Sequence, residues 1–191
     1  MRSLFIGTCA LFSAALSACS TTPYNVQLAQ DLQPRTVWIV GADGRSVGQA
    51  TFTEAPGGVL IRLEFAEARL APGWHGLHLH DRGDCSDFAA GFQASGGHIT
   101  LNRRVQHGLL NRRGPEAGDL PNLFASPSSV FGAEVFSPYV TMHSGRVGNR
   151  LPLLDGDGAA LLIHEATDNH RDQPIGNAGA RIACAALTPL P

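Results

Sequence analysis

Short runs of alternating apolar and polar residues, separated by turn signals, limit what this chain can fold into. In VLIRLEF (59–65), Val59, Ile61, Leu63 and Phe65 point to one face of an extended chain, and the residues between them point to the other. No stretch keeps an apolar helical period for three turns, and the chain holds 22 glycines and 12 prolines. The sequence therefore favours an all-β fold with many loops.

The same pattern predicts about eight strands in one domain, since 191 residues with 43% hydrophobic content can bury a real core. Two long polar loops, 81–123 and 166–178, interrupt the strands, and a loop as long as 81–123 is usually functional or disordered. A net charge of −2 gives no basic surface for nucleic acid. The predicted strands cover 36–40, 48–54, 59–65, 76–80, 130–142 (one or two strands), 159–165 and the end of 176–187.

The first 18 residues are typical of an export signal. Arg2 precedes an apolar run too short to span a bilayer comfortably, and Leu16-Ser17-Ala18-Cys19 resembles a bacterial lipoprotein cleavage site. We expect a signal peptide over 1–18, a lipid on Cys19, a tether over 19–35 and the folded domain over 36–191. The protein would then lie in the periplasm or cell envelope, attached to a membrane only through that lipid. An ordinary secretory signal is the alternative, and it also takes the protein out of the cytoplasm.

The four cysteines fall into two groups, two at the export signal and two in the predicted folded domain. Cys9 is lost with the signal, and Cys19 takes the lipid. Cys85 and Cys184 remain, and in an oxidising compartment they are expected to form a disulfide that closes a loop of about 100 residues. A reduced pair or a cysteine–metal site is the alternative.

Histidines on a strand give the first sign of chemistry. In GLHLH (76–80), alternation places His78 and His80 on one face, about 6 to 7 Å apart, where both can bind one metal ion. Taken alone, two histidines at this spacing are more often exposed or hydrogen-bonded residues than metal ligands. Other metal-ligand types follow in GGHIT, QHGLL, GPEAGDLPN and AALLIHE, and Arg181 lies three residues before Cys184.

These segments resemble the copper/zinc superoxide dismutase family, in its bacterial exported branch. GLHLH, GDC, GGH, QHG, AGDLPN, LLDGDG, HEATDN and GNAGARIAC occur in the family's order over about 36–187. The resemblance implies a Greek-key β-barrel or sandwich with two long functional loops. It also implies dismutation of superoxide to oxygen and hydrogen peroxide by Cu(II)/Cu(I) cycling with a bridging histidine.

The resemblance also implies a role for each site residue. Arg181 attracts and orients superoxide, His98 bridges two metals and supplies a proton, and Asp168 hydrogen-bonds metal-bound histidines of both sites. Superoxide is the implied substrate, and a homodimer is left open because the family includes monomers and dimers. The implied copper ligands are His78, His80, His98 and His164, and the implied zinc ligands are His98, His107, Glu116 and Asp119.

Glu116 departs from the family, which usually has histidine at this place. Two interpretations stay open. Glu116 ligates zinc in an altered site, since carboxylates are ordinary zinc ligands. Otherwise the zinc site is weakened or empty, and other contacts hold the loop of a copper-dominated enzyme.

Two further functions fit the same residues. A copper-binding or storage protein of the envelope would use this fold without turnover, but a store has no need of an arginine that guides an anion. A degenerate dismutase fold kept as a structural domain is the other. Three histidines match no implied ligand position and are expected to be surface or hydrogen-bonded residues: His75, His143 and His170.

Overall fold

The structure is a computed structural model that describes residues 33–66, 70–128 and 130–189. The predicted signal peptide, Cys19 and residues 19–32 of the predicted tether lie outside the described residues. Within the described ranges, no helix reaches the length and apolarity that a membrane span requires.

Strands form nearly all the regular structure, as the sequence predicted. The described residues contain eleven strands and two short 3-10 helices (88–90 and 93–95). The strands are β1 Arg35–Gly41, β2 Ser46–Ala55, β3 Gly58–Phe65, β4 Gly73–His75, β5 Leu77–His80, β6 Leu123–Ala125, β7 Phe131–Ser137, β8 Val140–Thr141, β9 Leu151–Pro152, β10 Ala159–His164 and β11 Arg181–Leu187.

Seven strands form one curled antiparallel sheet in the order β5-β10-β11-β1-β2-β3-β7. Strands β1, β2 and β3 follow one another as hairpins, and β11 returns to lie beside β1. This return is a Greek-key connection, as the resemblance implied. Two small sheets complete the described strands, an antiparallel β4–β6 pair and a parallel β8–β9 pair.

Alternation in β3 places the core as expected. Val59, Ile61, Leu63 and Phe65 are buried, whereas the intervening charged residues are exposed. Their side chains pack with those of the neighbouring strands into one apolar cluster. Burial of this face, worth about 25 cal/mol per Å² of apolar surface, fixes the register of β3 in the sheet.

Strands β5 and β10 are buried on both faces. In β5, Leu77 and Leu79 enter the apolar core, and the two histidines occupy the opposite face. The 81–123 loop, whose only regular structure before β6 is the two 3-10 helices, covers this second face: His98 and Asp119 lie beside the two histidines, and Phe92 packs on Leu162 of β10. The long loop therefore packs against the histidines of β5.

The predicted disulfide is confirmed. Cys85 in the long loop and Cys184 on β11 are bonded, with their Cα atoms 5.8 Å apart. Cys184 is fully buried and packs against Phe92, Ala160 and Leu162. The bond therefore links the loop that follows β5 to an interior strand of the sheet.

Candidate metal centre

The free edge of β5 is covered by two segments of the 81–123 loop. Leu79 donates its N–H to the Gly118 carbonyl (2.8 Å), and its own carbonyl accepts from Ile99 (3.0 Å). A Cβ at Gly118 would overlap the Leu79 carbonyl oxygen, so this close approach needs glycine. The pairing sets His98 beside His80 and Asp119 beside His78.

Three histidines share one face of β5 and β10. His78 lies directly opposite Leu162 of β10. His164 follows Leu162 by two residues on β10, so it points to the same face as His78. A register shift between Ile163 and His164 brings His164 opposite Arg181. Bulges of this kind re-aim side chains next to functional sites.

Each of these three imidazoles has one nitrogen fixed by an acceptor. Nε2 of His78 donates to Oδ2 of Asp168 (2.9 Å). Nδ1 of His80 donates to the Gly96 carbonyl and Nδ1 of His164 to the Gly179 carbonyl, both at 3.0 Å. Because these acceptors cannot donate, they fix each tautomer and leave the other ring nitrogen with a free lone pair.

The other ring nitrogens of these three imidazoles are buried without a hydrogen-bond partner: Nδ1 of His78 and Nε2 of His80 and His164. Nε2 of His98, beside them, is a fourth such atom. Unpaired buried polar atoms are rare in native proteins and require an explanation. Ligand nitrogens of His78, His80 and His98 lie within 4.8 Å of one another, and the ring of His164 is 4.8 Å from that of His78. Four imidazole nitrogens in one place are a donor set that suits copper.

Burial keeps these imidazoles neutral. It lowers the pKa of His78 to about 3 and that of His164 to about 4, and it lowers the pKa of His80 well below the usual range. The neutral form carries the lone pair that a metal binds. A metal therefore meets no competing proton on these three rings at neutral pH.

A second donor set lies beside the first. Ligand atoms of His98, His107, Glu116 and Asp119 fall within 4.8 Å of one another. Nδ1 of His98 is 3.0 Å from Oε2 of Glu116, and Nδ1 of His107 is 2.7 Å from Oδ1 of Asp119. Two imidazoles and two carboxylates are ligand types that zinc accepts.

Carboxylates dominate the electrostatics of this second set. Burial opposes protonation of His107, but the hydrogen bonds that His107 makes to the carboxylates of Asp119 and Asp168 outweigh it and raise the pKa of His107 to about 9. Burial likewise disfavours the Asp119 carboxylate, yet its bonds to His107 and His98 hold the Asp119 pKa well below its usual range. The set therefore attracts positive charge.

His98 and Asp168 connect the two sets. The ring of His98 lies 4.2 Å from that of His78 and 5.2 Å from that of His107, so its two nitrogens face different donor sets. The carboxylate of Asp168 contacts Nε2 of His78 through one oxygen and Nε2 of His107 through the other (3.1 Å). At Gly176, with φ +59°, a Cβ would overlap Oδ1 of Asp168, so glycine gives this carboxylate its space.

Arg181 borders the exposed side of the first set. Its guanidinium donates to the carbonyls of Phe92 and Gly96 (both 2.8 Å) and to Oγ of Ser95 (3.1 Å). A cavity of about 260 Å³ is lined by Arg181, His80 and His98, by Glu116 of the first loop, and by Gln173 and the two residues after it in the second loop. A small anion in this cavity would meet a fixed cation beside the free imidazole nitrogens.

The implied metal ligands, together with Arg181 and Asp168, lie in this region, but two further residues were missed. Asn122 pairs with the backbone of Asp168, and Gln173 pairs with the backbone of His107. Asn122 ends the AGDLPN segment, which is the only sequence signal it gives, and Gln173 gives none.

The three remaining histidines have local partners. His75 is buried between the carbonyls of His164 and Ala71, both at 2.7 Å, which fits the expected hydrogen-bonded role. His170 lies against Asp168, to which its backbone N–H donates (2.6 Å). His143 is half-buried, and its N–H contacts the hydroxyl of Thr141.

Comparisons with known proteins agree with this geometry. Residues 46–187 match the family model described as copper/zinc superoxide dismutase (SODC). The chain is 42% identical over 152 residues to "Superoxide dismutase [Cu-Zn]" of Caulobacter vibrioides, covering 80% of this chain and 84% of the relative. It is 34% identical over 167 residues to "Superoxide dismutase [Cu-Zn] 2" of Aquifex aeolicus, covering 85% and 91%.

Solved structures give the same result. A SOD-like protein from Bacillus subtilis superposes with a TM-score of 0.70 at 34% identity, covering 80% of this chain and 97% of that one. The Cu/Zn superoxide dismutase from Brucella abortus superposes with a TM-score of 0.60 at 28% identity, covering 81% and 99%. The family model spans most of the chain, and the predicted ligand residues lie together in one folded site, so this chain belongs to the copper/zinc superoxide dismutase family.

Proposed function

We propose that this protein is a superoxide dismutase, which converts superoxide to oxygen and hydrogen peroxide. The observation that carries the proposal is the convergence of four unpaired imidazole nitrogens near Arg181, which lines an open cavity together with two of these rings, His80 and His98. The residues that would hold copper are His78, His80, His98 and His164. Copper bound there would supply the one-electron chemistry, taking an electron from one superoxide and giving it to the next.

The chain's own groups supply the remaining requirements. Formation of hydrogen peroxide from superoxide consumes one electron and two protons. Nε2 of His98 faces the first donor set and lines the cavity, so it can hold one proton and deliver it to the product, and water delivers the other. Asp168 keeps His78 and His107 in fixed orientation throughout.

Arg181 guides the substrate. Burial lowers its pKa from the usual value, although Asp87 and Asp81 oppose this, and an arginine remains charged in proteins. Its donors are fixed by backbone carbonyls, so the charge keeps one position. A fixed cation in a cleft focuses small anions even when the net charge is negative. A metal store would have no use for this arrangement.

Glu116 is proposed as a zinc ligand, which makes the second site altered but retained. One oxygen of Asp119 accepts N–H groups of Gly108 (2.7 Å) and Glu116 (2.8 Å), and this leaves Oδ1 to face His107. Oε2 of Glu116 is then held 3.0 Å from Nδ1 of His98. Zinc in this set would hold His98 and the long loop in place without redox work.

Replacing Arg181 by alanine tests the proposed activity. We expect kcat/KM for superoxide to fall at least about 10-fold while copper content stays the same, since the arginine acts on the substrate's approach. Arg62→Ala is the matched control, because it removes an exposed cation that pairs with Glu134 on β3 and β7, at the opposite end of the sheet from β5. Equal rates in all three proteins, or no turnover by the copper-loaded natural chain, would contradict the proposal.

We also propose that the protein is exported and that Cys19 carries a lipid. The signal features of residues 1–19 support this, and so does the Cys85–Cys184 disulfide, since disulfides persist in oxidising compartments. Cys19→Ala should move the protein from the membrane fraction to the soluble envelope fraction, and unchanged fractionation would count against lipidation. A homodimer is tested on the soluble variant by sedimentation equilibrium, in which twice the chain mass indicates a dimer and a single chain mass excludes it.

A further inference from the structure

The two long loops hold each other through a reciprocal pair of side-chain amides. From the second loop, Gln173 accepts the N–H of His107 at Oε1 (3.1 Å) and donates from Nε2 to the His107 carbonyl (2.8 Å). From the first loop, Asn122 accepts the N–H of Asp168 (2.9 Å) and donates to the Asp168 carbonyl (2.8 Å). Each amide thus satisfies both backbone polar groups of one residue in the opposite loop.

The two residues held in this way are joined directly. Nε2 of His107 donates to Oδ1 of Asp168, and Nδ1 of His107 faces Oδ1 of Asp119 in the second donor set. A rotation of the His107 backbone would move both ends of this imidazole. The Gln173 amide opposes such a rotation, because two hydrogen bonds from one planar group fix the peptide units on both sides of His107.

Gln173 also lines the cavity that Arg181 borders. Its Nε2 makes a further contact with the Arg171 carbonyl (3.2 Å), so the same side chain shapes its own loop. Gln173 therefore both holds the backbone of His107, whose imidazole belongs to the second donor set, and lines the substrate cavity.

We propose that Gln173 is a positioning residue for the second metal: its amide fixes the backbone of His107 and thereby the direction of His107 Nδ1. This inference rests on the proposed function, since it takes the set of His98, His107, Glu116 and Asp119 as the zinc site. It assigns to the second loop a part in metal binding without a ligand of its own. The contact involved is the pair of hydrogen bonds between the Gln173 amide and the His107 backbone.

The test compares zinc binding by Gln173→Met and by the natural chain. Methionine keeps the length of the side chain and removes both hydrogen bonds, and position 173 is exposed, so no core cavity results. Gln49→Met is the matched control, because it removes one amide contact, to Glu64 (2.9 Å), on the sheet. Gln173→Glu is the second variant; it keeps the shape and the acceptor but loses the donor to the His107 carbonyl.

We expect the zinc dissociation constant, measured by chelator competition, to rise about 10-fold in Gln173→Met and to stay unchanged in Gln49→Met. Cobalt in the second site should show altered visible absorption bands in Gln173→Met, while copper affinity stays within about 3-fold of the natural value, because the copper ligands keep their own acceptors. If Gln173→Met does not fold, Gln173→Glu decides with the same measurements.

The possible failures are separable. Equal zinc affinity and equal cobalt spectra in the natural chain and the Gln173 variant would overturn this inference and leave the proposed enzyme intact. Parallel loss of copper and zinc affinity would also overturn it, since it would reveal general damage instead of positioning. Absence of zinc binding by the natural chain would contradict the proposed zinc site first, and this inference with it.

Discussion

Loss of the Cys85–Cys184 disulfide should destabilise the protein by an amount that follows from the length of the closed loop. The two cysteines are 99 residues apart in sequence. In the chain-entropy treatment, a cross-link over about 100 residues restricts the unfolded chain by about 4.7 kcal/mol at 25 °C. Residual structure in the unfolded chain reduces this figure, so we expect a loss of about 3 to 4.5 kcal/mol.

The substitutions are chosen by the environment of each cysteine. Cys184 is fully buried among apolar side chains, so Cys184→Ala avoids a buried hydroxyl, whereas half-buried Cys85 tolerates Cys85→Ser. The assay is urea unfolding of the metal-free double variant beside the oxidised natural chain. The reduced natural chain is the control, because it keeps both sulfur atoms and loses only the cross-link. A loss below about 1 kcal/mol in both proteins would refute the entropy argument.

The same variant should lose turnover as well as stability. The disulfide holds the loop segment whose Phe92 and Gly96 carbonyls fix Arg181. Without the cross-link these carbonyls gain freedom, and the guanidinium loses its single position. We expect kcat/KM to fall while copper content is kept, and an unchanged kcat/KM would show that the loop holds its shape without the bond.

Three further predictions follow from the site. Metal-free protein should lose stability as pH falls from about 6.5 toward 4, by on the order of 1 kcal/mol per pH unit for each of two histidines. Burial lowers the pKa of His78 to about 3 and that of His164 to about 4, so in this pH range the unfolded chain binds protons that the folded chain does not bind. Equal urea midpoints at pH 7 and pH 5 would contradict this. Glu116→His should lower the zinc dissociation constant, and an unchanged constant would count against a ligand role for Glu116. Asn122→Ala and Gln173→Met should be non-additive in a double-mutant cycle of zinc affinity, since both amides hold the His107–Asp168 pair; strict additivity would separate the two contacts.

Much of the fold could be predicted because long strands carry their own pattern. Strand β3 alternates cleanly, and β10 and β11 are apolar runs bounded by turn residues. The count of about eight fell short of the eleven strands in the described residues, because β4, β6, β8 and β9 have only two or three residues each. Such strands exist through pairing with distant segments, which a local pattern does not reveal.

The identity of the candidate ligands could also be predicted, but not the groups that aim them. Imidazoles and carboxylates appear as residue types in short motifs. The tautomers of His80 and His164 are set by the carbonyls of Gly96 and Gly179, and every residue has a carbonyl. Gln173 acts across 66 residues of sequence, on a backbone, so no motif marks it. The family resemblance identified the candidate ligands, and the structure identified the groups that orient them.

The most direct test of the two-metal centre is the content of copper and zinc per chain. Elemental analysis would be made on protein matured in the cell envelope and exchanged free of loosely bound metal. We expect one copper and one zinc, with Glu116 accepted among the zinc ligands. One copper with almost no zinc would contradict the altered but retained zinc site, and a chain without copper would contradict the proposed dismutase itself.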